Sequence, residues 1–226
     1  MKWLALLALA ACTGGVDAAW ELDHDRVIAV KMAPPRIQPG ETTMITALIG
    51  HKGAPPDEEA PMTAVVDSPR GLESALVQTS IGWTVTAPPD ADLAAARAEL
   101  GLAATDPVPL RVKLTFSTHD PIAYKVVWLS DRAANPVIDP ITIDGKDALT
   151  EPSLTVAKQT KIPAIVGFDE TYDINWLTSC GTMHDFDLAS AYLEVDPGDA
   201  QSGTFAVVVR DPRGGVAWHL WPITAQ

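Results

Sequence analysis

The sequence is poor in cysteine and in positive charge. It has two cysteines in 226 residues, so at most one disulfide could form, which excludes a small scaffold stapled by disulfides. Lysine and arginine number 16 against 29 aspartates and glutamates, giving a formal net charge of −13. Nucleic acid and anionic lipid surfaces should repel such a chain, and we expect no nucleic-acid partner.

Common catalytic and cofactor-binding signatures are also missing. The sequence contains no Gly-x-Ser-x-Gly nucleophile elbow, no His-Glu-x-x-His zinc motif and no glycine-rich phosphate loop. We therefore expect no cofactor, and the pattern favours a protein that is not an enzyme.

What the sequence does contain is the pattern of short strands. Apolar residues make up 47% of the chain, enough for a core, while 19 prolines and 15 glycines interrupt it too often for a helical bundle. Residues 110–116 alternate most clearly, with apolar side chains at even positions and polar ones at odd positions. Residues 205–209 are apolar on both faces, which predicts a central strand.

The spacing of these strands predicts two β-sandwiches in tandem. The segment 130–136 is typical of a linker between domains, so we predict a first domain over residues 23–132 and a second over residues 133–226. One short helix is expected near residues 90–100, with Asp90 as its N-cap and Gly101 as its C-cap. Residues 53–61, which include three prolines, are interpreted as a loop.

Three segments resemble known families. Residues 39–47, Pro-Gly-Glu-Thr-Thr-Met-Ile-Thr-Ala, are similar to the opening strands of bacterial immunoglobulin-like modules, and residues 174–177 resemble an immunoglobulin central strand with its buried Trp176. Residues 210–218, together with Asn135-Pro136 and Asp144-Gly145, resemble uncharacterised lipoproteins of myxobacteria. These resemblances imply an all-β chain of two immunoglobulin-like sandwiches, and they transfer no functional residues.

The first residues are typical of a secretory signal. Lys2 precedes an apolar run over residues 3–11, which is far shorter than the roughly 20 residues that a membrane span needs. Leu9-Ala10-Ala11-Cys12 resembles a bacterial lipobox, which implies cleavage before Cys12 and lipidation of that cysteine. The alternative is ordinary cleavage near Ala18-Ala19, with Cys12 discarded.

The lipobox interpretation has consequences for location and charge. It makes residues 1–11 a signal peptide and residues 12–22 a lipidated tether, and it leaves 15 positive against 29 negative charges, net −14. Thr13 follows the cysteine, where an aspartate would signal inner-membrane retention in well-studied enteric bacteria. We therefore expect an outer-membrane lipoprotein, facing the periplasm or exposed at the surface.

Three site hypotheses remain. Cys180 and His184 are four residues apart and invite a thiol nucleophile, although a buried core cysteine is the simpler interpretation. Trp221 is expected to be freer than Trp176 and Trp218, and could stack on a sugar. Four aspartates could gather around calcium, although they lack EF-hand spacing: Asp169, Asp173, Asp185 and Asp187.

The function that these observations favour is non-catalytic binding or scaffolding at the cell envelope. The membrane, reached through the N-terminal lipid, and another envelope protein are the expected partners. A carbohydrate-dependent or calcium-dependent adhesive module is the alternative, and a thiol-dependent enzyme comes third.

Overall fold

A computed structural model describes residues 18–116, 121–167 and 169–226. Two β-sandwiches account for nearly all of this part of the chain, and the chain passes from one to the other over residues 130–140. The strands of the first sandwich are β1 (Arg26–Ala33), β2 (Arg36–Ile37), β3 (Thr42–His51), β4 (Ala54–Glu59), β5 (Thr63–Ser68), β6 (Leu76–Thr79), β7 (Gly82–Thr86), β8 (Val108–Thr115) and β9 (Ile122–Leu129). Those of the second are β10 (Ile141–Ile143), β11 (Lys146–Asp147), β12 (Leu154–Val156), β13 (Ile162–Val166), β14 (Asp173–Thr178), β15 (Thr182–His184), β16 (Ser190–Glu194), β17 (Ser202–Arg210) and β18 (Val216–Ala225).

The two sandwiches have the same topology. In the first, the sheet β1-β3-β7-β6 faces the sheet β2-β9-β8-β5; in the second, β10-β13-β16-β15 faces β12-β18-β17-β14. Both match the immunoglobulin arrangement, in which strands A, B, E and D form one sheet and C, F and G the other. In both, the leading strand is divided, and its second part pairs in parallel with the last strand, β2 with β9 and β12 with β18. The prediction of two immunoglobulin-like sandwiches in an all-β chain is confirmed.

Apolar side chains alternate with polar ones along the strands, and the apolar ones fill the cores of both sandwiches. In β8, Val108, Leu110, Val112 and Leu114 are fully buried inside the first sandwich, as the even-position pattern predicts. The second core is built around three large rings: Phe205 packs between Trp176 and Trp221, with centroids at 5.6 and 6.2 Å. Trp176 is fully buried, as its position in the predicted central strand requires.

The predicted helical insertion is present, but it begins differently. Residues 90–93 form a 3₁₀ turn that continues into the α-helix α1 (Ala94–Leu100), and Gly101 ends it at φ 68° in the left-handed conformation. Asp90 does not cap the helix, because its carboxylate instead accepts hydrogen bonds from Arg97 at 2.7 Å and Ser130 at 2.5 Å. Asp90 thus joins the helical insertion to the end of β9.

The predicted loop at residues 53–61 is wrong, because β4 lies within it. β4 pairs with the end of β3 that extends beyond β7, through Ala54, Asp57, Glu58 and Glu59. Its prolines at 55 and 56 have no amide hydrogen, and residues of this type argue against a strand when only the sequence is considered. Such prolines are tolerated here because β4 is an edge strand that needs hydrogen-bonding partners on one side only.

The N-terminal segment of the described chain is packed into the fold. Leu22 is 1% exposed and its amide bonds to the carbonyl oxygen of Thr178, whose amide bonds in turn to the carbonyl oxygen of Trp20. Residues 20–22, the end of the segment predicted as a lipidated tether over residues 12–22, are therefore fixed against β14. The predicted signal at residues 1–11 and Cys12 lie outside the described residues. Within the described ranges, no helix combines the length and hydrophobicity of a membrane span.

Candidate functional site

The geometry around Cys180 is that of a core residue. Its side chain is fully buried in the core of the second sandwich, and burial, with a smaller contribution from Asp199, raises the pKa of its thiol. A raised pKa keeps the thiol protonated, whereas a nucleophile needs the thiolate. His184 lies on the outer side of β15, where its ring stacks on Tyr192 at 4.5 Å. This arrangement gives the thiol no activating base.

The four aspartates proposed for calcium do not form a common site. Asp169 is engaged locally, since its carboxylate accepts hydrogen bonds from the amide and hydroxyl of Thr171, which lower the pKa of its carboxyl group. Asp173 and Asp187 line one shallow depression, but Arg210 lines it too and places a positive charge where a cation would bind. Asp185 sits in a turn in the left-handed conformation.

The expectation that Trp221 is the freest tryptophan is wrong. Trp221 is 1% exposed, and its indole nitrogen donates to the carbonyl oxygen of Ala148 at 2.9 Å. Trp218 points to the opposite face of β18, where Lys31 lies over its ring at 3.8 Å and Glu58 accepts from its indole nitrogen. Neither ring offers an open face for a sugar in this structure.

A third apolar cluster connects the two sandwiches. β1 and β3 of the first sandwich pack against the outer face of β14, β17 and β18 of the second, a contact that we call the joint. Its buried members are Leu22, Ile28, Ala29, Leu48, Leu177, Ala206, Val208 and Val216. β17 is apolar on both faces because Phe205, Val207 and Val209 face its own core while Ala206 and Val208 face the joint.

Polar contacts fix the orientation of the joint. Arg36 pairs with Asp211 at 3.0 Å, and both side chains are largely buried. Arg210 donates to the carbonyl oxygen of Ile28 at 2.8 Å. The side-chain Nδ2 of Asn135 donates to the carbonyl oxygen of Met32, and its side-chain Oδ1 accepts from the backbone amide of Val216. These bonds are directional and form between sandwiches, so they select one relative orientation.

Lys125 is a third cation that is largely buried at the joint. It is 8% exposed, and its ammonium donates to the carbonyl oxygen of Gly214 at 2.5 Å. Burial is the main cause, and together with the nearby charge of Arg210 it lowers the pKa of Lys125 to about 8, against a smaller opposite effect of Asp211. The turn between β17 and β18 is thereby held against the edge of β9.

The first sandwich leaves the corresponding sheet face open. In the second sandwich the outer face of β14, β17 and β18 is covered by the joint, whereas the outer face of β5, β8 and β9 faces solvent. Direct cross-strand partners on it form two rows, Val65–Lys113–Tyr124 and Thr63–Thr115–Ile122. Val65, Tyr124 and Ile122 are 54%, 56% and 56% exposed. We call this surface the open face.

The open face also carries two cationic side chains, Arg111 and Lys113, within an acidic protein. Arg111 and Lys113 both project from β8 between the exposed apolar side chains, and Arg111 pairs with Asp67 and lies 5.7 Å from the ring of Tyr124. The alternation at residues 110–116 indicates that Arg111 and Lys113 point outward. It could not show that Val65, Tyr124 and Ile122 share that face, because strand register decides this.

Comparison with known proteins gives similarity to solved structures only. No protein-family model matches the chain, and no curated protein matches it. Among solved structures, murine CEACAM1b is 10% identical over 88% of this chain and 99% of its own (TM-score 0.30), and the tandem Ig repeats of Dlar are 12% identical over 89% and 97% (TM-score 0.32). A nucleoside hydrolase-related hypothetical protein from Saccharophagus degradans is 12% identical, and the matched region covers 43% of this chain and 28% of that protein (TM-score 0.33). At these values the similarities carry no argument about function.

Proposed function

We propose that this protein is a lipid-anchored component of the bacterial cell envelope that binds another envelope protein, without catalysis, through the open face. The observation that carries the proposal is the contrast between the two sandwiches. The same sheet face that buries apolar side chains in the joint exposes Val65, Tyr124 and Ile122 in the first sandwich.

Charge defines the kind of partner. Several exposed apolar side chains gathered on one face commonly mark a protein-binding surface. Since Lys113 and Arg111 lie among them, the fitting surface carries apolar side chains beside carboxylates. A nucleic acid or an anionic membrane is a poor alternative, because the net charge of the whole chain is −13 and repels both.

The joint supports a scaffolding role. With β1 and β3 packed on β17 and β18, and with Arg36–Asp211 and Arg210–Ile28 bonds across the contact, the two sandwiches present one rigid body. A rigid body holds a bound partner at a fixed distance and angle from its anchor.

We further propose that Cys12 carries that anchor and that the protein resides at the outer membrane. Five residues lie between Cys12 and Ala18, so a fully extended chain can place the lipid at most about 21 Å from Ala18. The packed segment that follows lies against β14 beside the joint, so an anchor on Cys12 would reach the body of the protein beside the joint. A mature charge of −14 keeps the body off an anionic surface.

A photo-crosslinking amino acid placed at Tyr124 tests the binding face in intact cells. The same amino acid at Ile165, which is 47% exposed on the second sandwich, serves as the matched control. We expect a crosslink to one defined envelope protein from position 124 only, and we expect Val65→Asp to remove it while leaving the melting temperature unchanged. Equal crosslinking from both positions, no crosslink from position 124, or a crosslink unaffected by Val65→Asp would overturn the proposal.

A further inference from the structure

One histidine and two carboxylates converge at the hairpin formed by β3 and β4. The Nε2 atom of His51 lies 2.9 Å from Oδ1 of Asp57 and 3.7 Å from Oε1 of Glu59, and one potential ligand atom from each residue lies within 4.8 Å of the others. Within the described part of the chain, no other group of three such side chains comes this close together.

We propose that His51, Asp57 and Glu59 bind a zinc ion. Zinc is bound by imidazole nitrogen and carboxylate oxygen at about 2.0–2.2 Å, and in a tetrahedron of that size neighbouring ligand atoms are about 3.3 Å apart. The two distances from His51, 2.9 and 3.7 Å, bracket this separation. Imidazole favours zinc over calcium or magnesium, which prefer all-oxygen sites.

The backbone holds the three ligands in place. Asp57 and Glu59 are two residues apart on β4 and therefore project from the same side of that strand. His51 is at the end of β3, at a register shift just before the hairpin turn. That turn is fixed from outside, because Asp23 accepts from the amide of Gly53 and Asp25 from the amide of Lys52. Zinc therefore requires only side-chain movement.

The burial of the ligands suits a site at the protein surface. The side chains of His51 and Glu59 are 20% and 23% exposed, while that of Asp57 is 66% exposed and can rotate to admit the ion. Three protein ligands leave a fourth coordination position, which water fills. A simple ion pair between His51 and Asp57 would explain only one of the two carboxylates. It would give no reason for Glu59 to lie 3.7 Å from the same Nε2 atom of His51.

Zinc at this site would stabilise a strand that borders the joint. Glu58 lies between the two carboxylate ligands on β4 and points to the opposite side, where it accepts from the indole nitrogen of Trp218 at 2.9 Å. An ion that fixes Asp57 and Glu59 to His51 also fixes the strand that carries Glu58.

Isothermal titration of the purified full chain with zinc chloride tests the site, with calcium chloride titrated in parallel. We expect one zinc per chain, a rise in melting temperature with zinc, and no comparable effect of calcium. His51→Gln and Asp57→Asn should each weaken zinc binding by more than about tenfold. Both changes affect partly exposed side chains, and their unchanged melting temperatures without zinc would show that they fold.

The second sandwich provides the matched control. His184 also faces a carboxylate, Glu194, at 3.8 Å, but it lacks a second one. His184→Gln should leave zinc binding unchanged. Failure of the wild-type chain to bind zinc, or zinc affinity that falls equally in His184→Gln and His51→Gln, would overturn the proposal. The binding face on β5, β8 and β9 is tested separately and does not depend on this result.

Discussion

Lys125 shows how the environment of one residue depends on the joint. On β9 it follows the exposed Tyr124 and lies on the same side of the strand as the buried Val127 and Leu129. The turn between β17 and β18 of the other sandwich lies over it, and the carbonyl oxygen of Gly214 accepts a hydrogen bond from its ammonium group. The resulting fall of its pKa to about 8 makes the stability of the protein depend on pH.

The stability should rise with pH through this one group. The folded pKa of Lys125 is about 8, below its ordinary value of 10.5, so between these values the unfolded chain binds more protons than the folded one. We expect the free energy of unfolding to increase between pH 8 and pH 10.5 and Lys125→Met to flatten that increase. Urea denaturation across this range measures it. The exposed Lys113→Met variant is the control, and equal slopes in wild type and Lys125→Met would contradict the prediction.

At the scale of elements, β17 illustrates what a sequence pattern can establish. Its uninterrupted apolar run correctly predicts a strand buried on both faces. The pattern cannot say what covers the second face, because the contacts come from β1 and β3, about 160 to 180 residues away in the chain. β4 is the opposite case: its prolines conceal an edge strand that only the free end of β3 creates.

Two neighbouring valines of β17 separate the core from the joint. Val207 faces the core of the second sandwich and Val208 faces the joint, and both are fully buried. A buried, unpaired carboxylate is strongly destabilising, so Val207→Asp should unfold the second sandwich. Val208→Asp should instead separate the two sandwiches while each stays folded. Calorimetry should show two transitions for Val208→Asp, and small-angle scattering a larger radius of gyration; one transition with unchanged dimensions would refute this.

At the scale of the whole molecule, the N-terminal segment connects both sandwiches. Leu22 contributes to the joint, and residues 20–22 bond to Thr178 at the end of β14 before the chain enters β1. A lipid on Cys12 would therefore attach to the middle of the body, beside the joint, and the two sandwiches would extend from there. Two sandwiches joined only by a flexible linker would move independently of each other, whereas these two pack together at the joint.

Lipidation is tested directly at Cys12. Cys12→Ala should abolish incorporation of labelled palmitate and release the protein from the membrane fraction, because one apolar run of nine residues is too short to span a bilayer. Cys180→Ala is the matched control and should retain the label, since that thiol is fully buried. Labelling that persists in Cys12→Ala would show that the N-terminus is processed in another way.

The sequence by itself determined the fold class, because alternation in β8, the two-sided apolar run of β17 and frequent prolines and glycines are local signals of short strands. It also located the helical insertion and its Gly101 cap. Only the tertiary structure decided which surfaces are free. The joint, the open face and the convergence of His51, Asp57 and Glu59 depend on strand register and on packing between sandwiches. These are set by contacts between distant segments, and no local pattern encodes them.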